Sequence, residues 1–105
     1  MTDLQHLADE LLTRAGEASA RRAARSLPHP ADGLRQTVLA LLAGSELAEH
    51  EAPGAASLQV LRGRARLVAG AEVQELGPHH LTPIPPRRHS LHADEDTVVL
   101  LIVAG

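Results

Sequence analysis

Turn residues follow one another so closely after Gly44 that they leave little room for a helix. Gly44, Pro53-Gly54, Gly63, Gly70, Gly77-Pro78, Pro85-Pro86 and the acidic run Asp94-Glu95-Asp96 divide the chain into short apolar segments. Runs of about four to eight residues bounded by Gly and Pro have strand length. Leu47 to Glu51 reads as an extended piece. Leu58 to Leu61 and Arg64 to Ala69 read as a hairpin turning at Arg62-Gly63. Glu72 to Leu76 alternates polar and apolar residues, as an edge or half-exposed strand does. Leu81 to Ile84 and His89 to His92 are short strands. Thr97 to Val103 is a continuous β-branched and leucine run, which suits a strand buried on both faces. The stretch Gly44 to Gly63 organises this half, and the strands downstream read as pairing against it.

The chain upstream has a different period. Leu4, Leu7, Ala8, Leu11, Leu12, Ala15 and Ala18 recur at three- and four-residue spacing, which predicts an amphipathic helix from Thr2 to about Ser26. Thr2 and Gln5 stand at capping-box spacing. Acids sit early (Asp3, Asp9, Glu10) and Arg21, Arg22 and Arg25 late, as the helix dipole favours. That arginine cluster reads either as an anion site or as a solvated helix end. Pro28 and Pro30 stop the helix, and Ala31-Asp32-Gly33 turns the chain into Leu34 to Leu42, a mostly buried strand ending at Gly44. The whole is mainly β, one helix followed by about seven or eight strands, the pattern of a sandwich or barrel.

Composition then narrows the function. At 105 residues with no Phe, Trp or Tyr, the core rests on aliphatic contacts of roughly 1.5–3 kcal/mol per fully buried Leu or Val. Burial against a second copy would help so small a core, and a homodimer is expected. A net charge of −3 with acids and bases mixed argues against a nucleic-acid partner. The absence of cysteine excludes disulfides and thiolate chemistry and suits the cytoplasm. Asp3, Asp9 and Glu10 oppose a signal peptide. No apolar run approaches the roughly 18 residues of a membrane span, so no membrane partner is expected.

Two stretches resemble the motifs of the cupins. In G-x5-H-x-H-x3-E-x6-G, the count from Gly44 reaches His50, then Ala52 at the second His, Ala56 at the Glu and Gly63 at the last Gly, with QVLRG similar to the usual V-L-x-G ending. In G-x5-P-x-G-x2-H-x3-N, His79 stands at the first Gly, Pro85 at the Pro and Arg87 at the second Gly, with His89 one residue early. IPPRRHSLHA is similar to the IPPG..H stretch of many cupins. The resemblance covers roughly Leu34 to Val103. It implies a jelly-roll β-barrel, the cupin double-stranded β-helix, with one N-terminal α-helix. Residues 1–30 would be the helix and a proline-containing linker packed on the barrel, and residues 31–105 the barrel itself.

The resemblance also implies that His50 and His89 point into the barrel from facing strands. Metal-dependent cupins hold iron, manganese, nickel or zinc with three His and one carboxylate, and here alanines replace two of these ligands. The expected cofactor is therefore none, or a weakly bound divalent metal on His50 and His89. Glu49 and Glu51 flank His50 on the opposite face. His92 faces away from His89, whereas Leu91 shares its face. His79 and His80 are further metal candidates, and Arg87 and Arg88 would anchor a carboxylate or phosphate at the barrel mouth. Two functions follow. One is a small-molecule binding or regulatory domain with no standard metal centre, taking a small apolar or anionic ligand on His50, His89, Arg87 and Arg88. The other is a metal-dependent enzyme of dioxygenase or isomerase type with a non-standard third ligand. A third reading places the function in the dimer surface.

Overall fold

The computed structural model describes residues 1–28, 33–50 and 54–104, except the side chain of His50. The positions expected to turn or extend at Pro30, Ala31, Asp32, Glu51 and Pro53, and the motif position Ala52, lie outside the described residues.

Among the described residues one helix precedes nine strands. The helix α1 covers Leu4–Glu17. It begins at Asp3 rather than Thr2, because the Asp3 carboxylate accepts from the backbone N–H groups of Gln5 (3.0 Å) and His6 (3.2 Å). It also ends earlier than the periodicity predicts. Ala18 is extended, Arg21 takes a positive φ of 59°, and the chain reverses into β1, Arg22–Ser26. Ala and Arg are good helix formers, but pairing of the whole of β1 with Thr37 to Leu41 of β2, Leu34–Leu41, outweighs that preference. Arg21, Arg22 and Arg25 therefore do not form a helix end. Arg21 and Arg22 donate to the carbonyl oxygens of Ala43 and Glu46, and Arg25 grips the Glu10 carboxylate through both terminal nitrogens.

The remaining strands are β3 (Glu46–His50), β4 (Ala56–Arg62), β5 (Ala65–Ala69), β6 (Glu72–Leu76), β7 (Leu81–Pro83), β8 (His89–Ala93) and β9 (Thr97–Ala104). They form two antiparallel sheets, β1-β2-β9-β4-β7 and β3-β8-β5-β6. Among the described residues the sheets face each other as a jelly-roll sandwich with open edges and do not close into a barrel.

The hairpin expected about Arg62-Gly63 is not there. β4 pairs with β9 and β7, whereas β5 pairs with β6 and β8, so the chain crosses between sheets at Gly63. Gly63 has φ 91°, and a Cβ on it would collide with the Asp96 carbonyl oxygen and come within 2.7 Å of Thr97 Oγ1. The crossing works because the 94–97 turn lies directly against this residue. The hairpin occurs one turn later, between β5 and β6. Pairing against the Gly44 to Gly63 stretch is correspondingly partial: β3 takes β8, and β4 takes β7 and β9.

Alternation along β2 and β9 sends side chains to two cores. Leu41 and Val99 join Leu58, Val60, Leu67, Leu76, Ile84 and Leu91 between the sheets. Val38, Ala40, Val98 and Leu100 face outward and are covered by Leu7, Ala8, Leu11 and Ala15 of α1. The apolar side of the helix is thus buried by its own chain. Arg25 to Glu10 (2.9 Å) and Arg62 to Asp9 (2.7 Å) pin its flanks to β1 and β4. No helix among the described residues is long and apolar enough to cross a membrane.

Candidate functional site

The two motif histidines meet across one strand pair. β3 and β8 run antiparallel with Glu46 opposite His92, Leu47 opposite Leu91 and His50 opposite His89, with an irregularity between Leu47 and His50. His89 is 3% exposed, one of three buried polar residues among those described. Its Nδ1 lies 2.9 Å from the Arg87 carbonyl oxygen. A carbonyl accepts only, so Nδ1 carries the proton and donates.

The His89 ring lines a cavity between the sheets of about 30 Å³, room for a water molecule or two. Among the described residues every other lining residue is aliphatic: Leu39, Leu47, Leu58, Leu67, Ile84, Leu91, Val99 and Leu101. Leu91 shares the face of His89 as alternation requires. His92 points outward, with Nδ1 2.9 Å from Glu46 Oε2 and Nε2 2.9 Å from Ser90 Oγ.

The other candidate residues are placed elsewhere. His79 and His80 are exposed in the turn before β7 and pack on β4 through the backbone, His79 N to Val60 O at 2.7 Å and Val60 N to His80 O at 2.9 Å. His80 Nδ1 accepts from Gly77 N at 2.8 Å. Ile84, which does line the cavity, bonds to Ala56, four residues along β4 from Val60, roughly 13 Å away. The two histidines therefore stand toward the other end of the sandwich. Arg87 and Arg88 stand beside His89 in sequence, but each guanidinium meets a carboxylate: Arg87 to Glu72 at 2.8 Å and Arg88 to Glu49 at 3.0 Å.

A divalent metal needs about three or four protein ligands for tight binding. Ala56 packs against the inter-sheet core and has no donor atom, and Ala52 has none either. Among the described residues no three His, Asp or Glu side chains stand together as a metal site. Among the described residues the donors of the metal centre that the resemblance implies are not brought together.

One residue absent from the sequence reading belongs to this end of the fold. Arg35, near the start of β2, pairs with Val103, and Val103 pairs on its other side with Ala56. Arg35, Val103 and Ala56 form one cross-strand row on the inner face. Arg35 borders an open groove of about 390 Å³ that shares Leu101 with the His89 cavity. The sequence signal was available: Arg35, Thr37, Leu39 and Leu41 alternate on one face of the strand, and the first two are polar.

Three solved structures show what the chain is similar to. A conserved protein of unknown function from Streptococcus pyogenes is 27% identical with a TM-score of 0.73, covering 83% of this chain and 76% of that one. A cupin superfamily protein from Desulfitobacterium hafniense is 19% identical with a TM-score of 0.73, covering 86% and 85%. A salicylate 1,2-dioxygenase from Pseudaminobacter salicylatoxidans is 22% identical with a TM-score of 0.81, but the match spans 94% of this chain and 33% of the dioxygenase. No family model and no curated protein matches the chain.

Proposed function

The chain has the cupin fold, and from that premise we propose that it is a small-molecule binding or regulatory domain without a standard metal centre. The observation that carries this reading is the make-up of the space between the sheets. Where a metal cupin needs four ligands, the described lining offers one imidazole among eight aliphatic side chains. Such a surface favours apolar matter, and among the described residues His89 is its one polar group, oriented by the Arg87 carbonyl. An apolar or anionic small molecule entering at the His89 end fits this chemistry. The cysteine-free composition favours a cytoplasmic setting.

Homodimerisation is part of the same proposal. Its support is the fold and the small aliphatic core, since α1 already has its cover. A light-scattering mass of a single chain at micromolar concentration removes it.

The test of the main reading is elemental analysis of untagged protein purified without chelator, beside His50→Ala and His89→Ala. Amino-acid analysis must supply the concentration, because the chain has no aromatic residue. The expected result is no near-stoichiometric iron, manganese, nickel or zinc and no uptake of added metal. Near-stoichiometric metal lost in both variants refutes the reading. It would favour the second one, a dioxygenase- or isomerase-type enzyme with an unassigned third ligand, for which the register pairing of His50 with His89 is the supporting observation.

A further inference from the structure

The sequence has ten basic side chains, all arginine, and the structure uses nearly all of them as ties. Arg14, Arg25, Arg62, Arg66, Arg87 and Arg88 meet carboxylates, while Arg21 and Arg22 meet backbone carbonyls. Arg64 lies along Gly77, its Nη1 3.2 Å from where a Cβ would stand there. Arg35 differs. Among the described residues its exposed guanidinium has no hydrogen bond and no ion pair, although the protein as a whole is acidic, with a net charge of −3.

Its surroundings make this more than a solvated surface cation. Ser26 stands opposite Thr37 in the β1–β2 register, and Thr37 is two residues along from Arg35 on the same face. All three side chains border the groove, and among the described residues neither hydroxyl is engaged. The apolar wall beside them is Leu27, Leu101 and Val103. Leu101 then continues into the aliphatic cavity that His89 lines. A cation with two hydroxyls thus stands beside an apolar wall, and one residue of that wall, Leu101, also lines the inter-sheet cavity.

We infer that this groove binds a small aliphatic monocarboxylate. The carboxylate lies on the Arg35 guanidinium and the Ser26 and Thr37 hydroxyls, and the chain runs over Val103 and Leu101 toward the inter-sheet cavity. An arginine fork matches the two oxygens of a carboxylate, which is the stronger kind of hydrogen-bonded pair. One guanidinium balances one negative charge. The groove of about 390 Å³ has the room for such a chain, whereas the cavity of about 30 Å³ admits no more than its tip. The inference rests on the binding-domain reading and gives it a ligand class. It also moves the anion position from Arg87 and Arg88, whose charges are already matched, to Arg35.

The experiment is calorimetric titration of the full chain with hexanoate, 1-hexanol and inorganic phosphate, for the native protein, Arg35→Gln and Arg87→Gln. Methyl NMR signals of Leu101 and Val103 report the location. Hexanoate should bind and shift those methyls. Arg35→Gln should weaken it about tenfold or more, as expected for a lost charge-assisted pair, and Arg87→Gln should leave it within about twofold. Far-UV circular dichroism should show Arg35→Gln folded, since among the described residues that side chain makes no hydrogen bond or ion pair. Equal affinity for 1-hexanol, equal affinity for phosphate, or equal loss in both variants each overturns the carboxylate site. Binding of 1-hexanol alone overturns it and leaves the binding domain standing. Failure of all three probes to bind overturns the site and removes the support it lends to that domain.

Discussion

Gly63→Ala, set beside Gly44→Ala, isolates the cost of the crossing between sheets. Both glycines have nearly the same backbone, φ 91° and 85°, where a side chain is strained by about 1–2 kcal/mol. They differ in what a Cβ meets. At Gly44 there is nothing within 4 Å. At Gly63 the new atom drives into the Asp96 carbonyl oxygen and lies 2.7 Å from Thr97 Oγ1 and 2.8 Å from Thr97 Cα. The turn cannot simply move aside, because Asp94 N and Thr97 Oγ1 both bond the Arg64 carbonyl at 2.9 Å. Overpacking of this kind adds about 1–3 kcal/mol, and loosening two hydrogen bonds about 1 kcal/mol each. Gly63→Ala should therefore lose about 3 kcal/mol or more, against about 1–2 kcal/mol for Gly44→Ala. Urea unfolding followed by far-UV circular dichroism measures both, since domains of this size commonly have about 5–15 kcal/mol to lose. If the two variants fall within about 1 kcal/mol of each other, close packing at the crossing is not what fixes Gly63.

Two further outcomes follow from the helix. Leu11 is 1% exposed between α1 and the outer face of the first sheet, so Leu11→Ala should cost about 2–5 kcal/mol in the same urea assay, and a loss under about 1 kcal/mol would mean the helix is not docked there. The Glu10 carboxyl is held below its ordinary value of 4.5, chiefly by the Arg25 hydrogen bond and then by the Arg25 and Arg14 charges, with desolvation opposing in part. A folded pKa below the unfolded one means that the pair stabilises above the ordinary value and that this stabilisation fades as pH falls through the depressed one. Glu10→Gln should flatten the acid limb of stability against pH in that window; an unchanged limb refutes the assignment.

Strand segments with strong boundaries were legible because Gly and Pro mark turns whatever the tertiary pairing. Leu34–Leu41, Glu72–Leu76 and Thr97–Ala104 stand close to where periodicity puts them. Boundaries alone do not say which strands pair. Arg62-Gly63-Arg64 carries the same turn signal in a hairpin as in a crossing between sheets, and only the proximity of Asp96 and Thr97 distinguishes the two. β1 was hidden for another reason: RAARS has good local helix propensity, and its strand state is set by β2. At the candidate site, motif spacing singled out His89 and its alternation with Leu91. Motif spacing does not reach Arg35; the polar start of the alternating face Arg35, Thr37, Leu39 and Leu41 marks it, and the Val103 and Ala56 row gives that mark its place in the fold.

The position of β9 has a further bearing, on the order in which the polypeptide can acquire its structure. The strand pairs with β2 along one side and β4 along the other, yet it comes after all the other strands described. A nascent chain that has reached residue 93 holds all the partners of this strand and none of its own backbone to join them. Its helix then lacks the Val98 and Leu100 half of its docking surface. Such a species exposes two unpaired strand edges and an uncovered apolar helix face, the features that invite aggregation or chaperone capture. Most of the fold's cooperativity is therefore deferred until Thr97–Ala104 has been made. Pauses in synthesis over those codons should reduce the soluble yield more than pauses placed anywhere earlier.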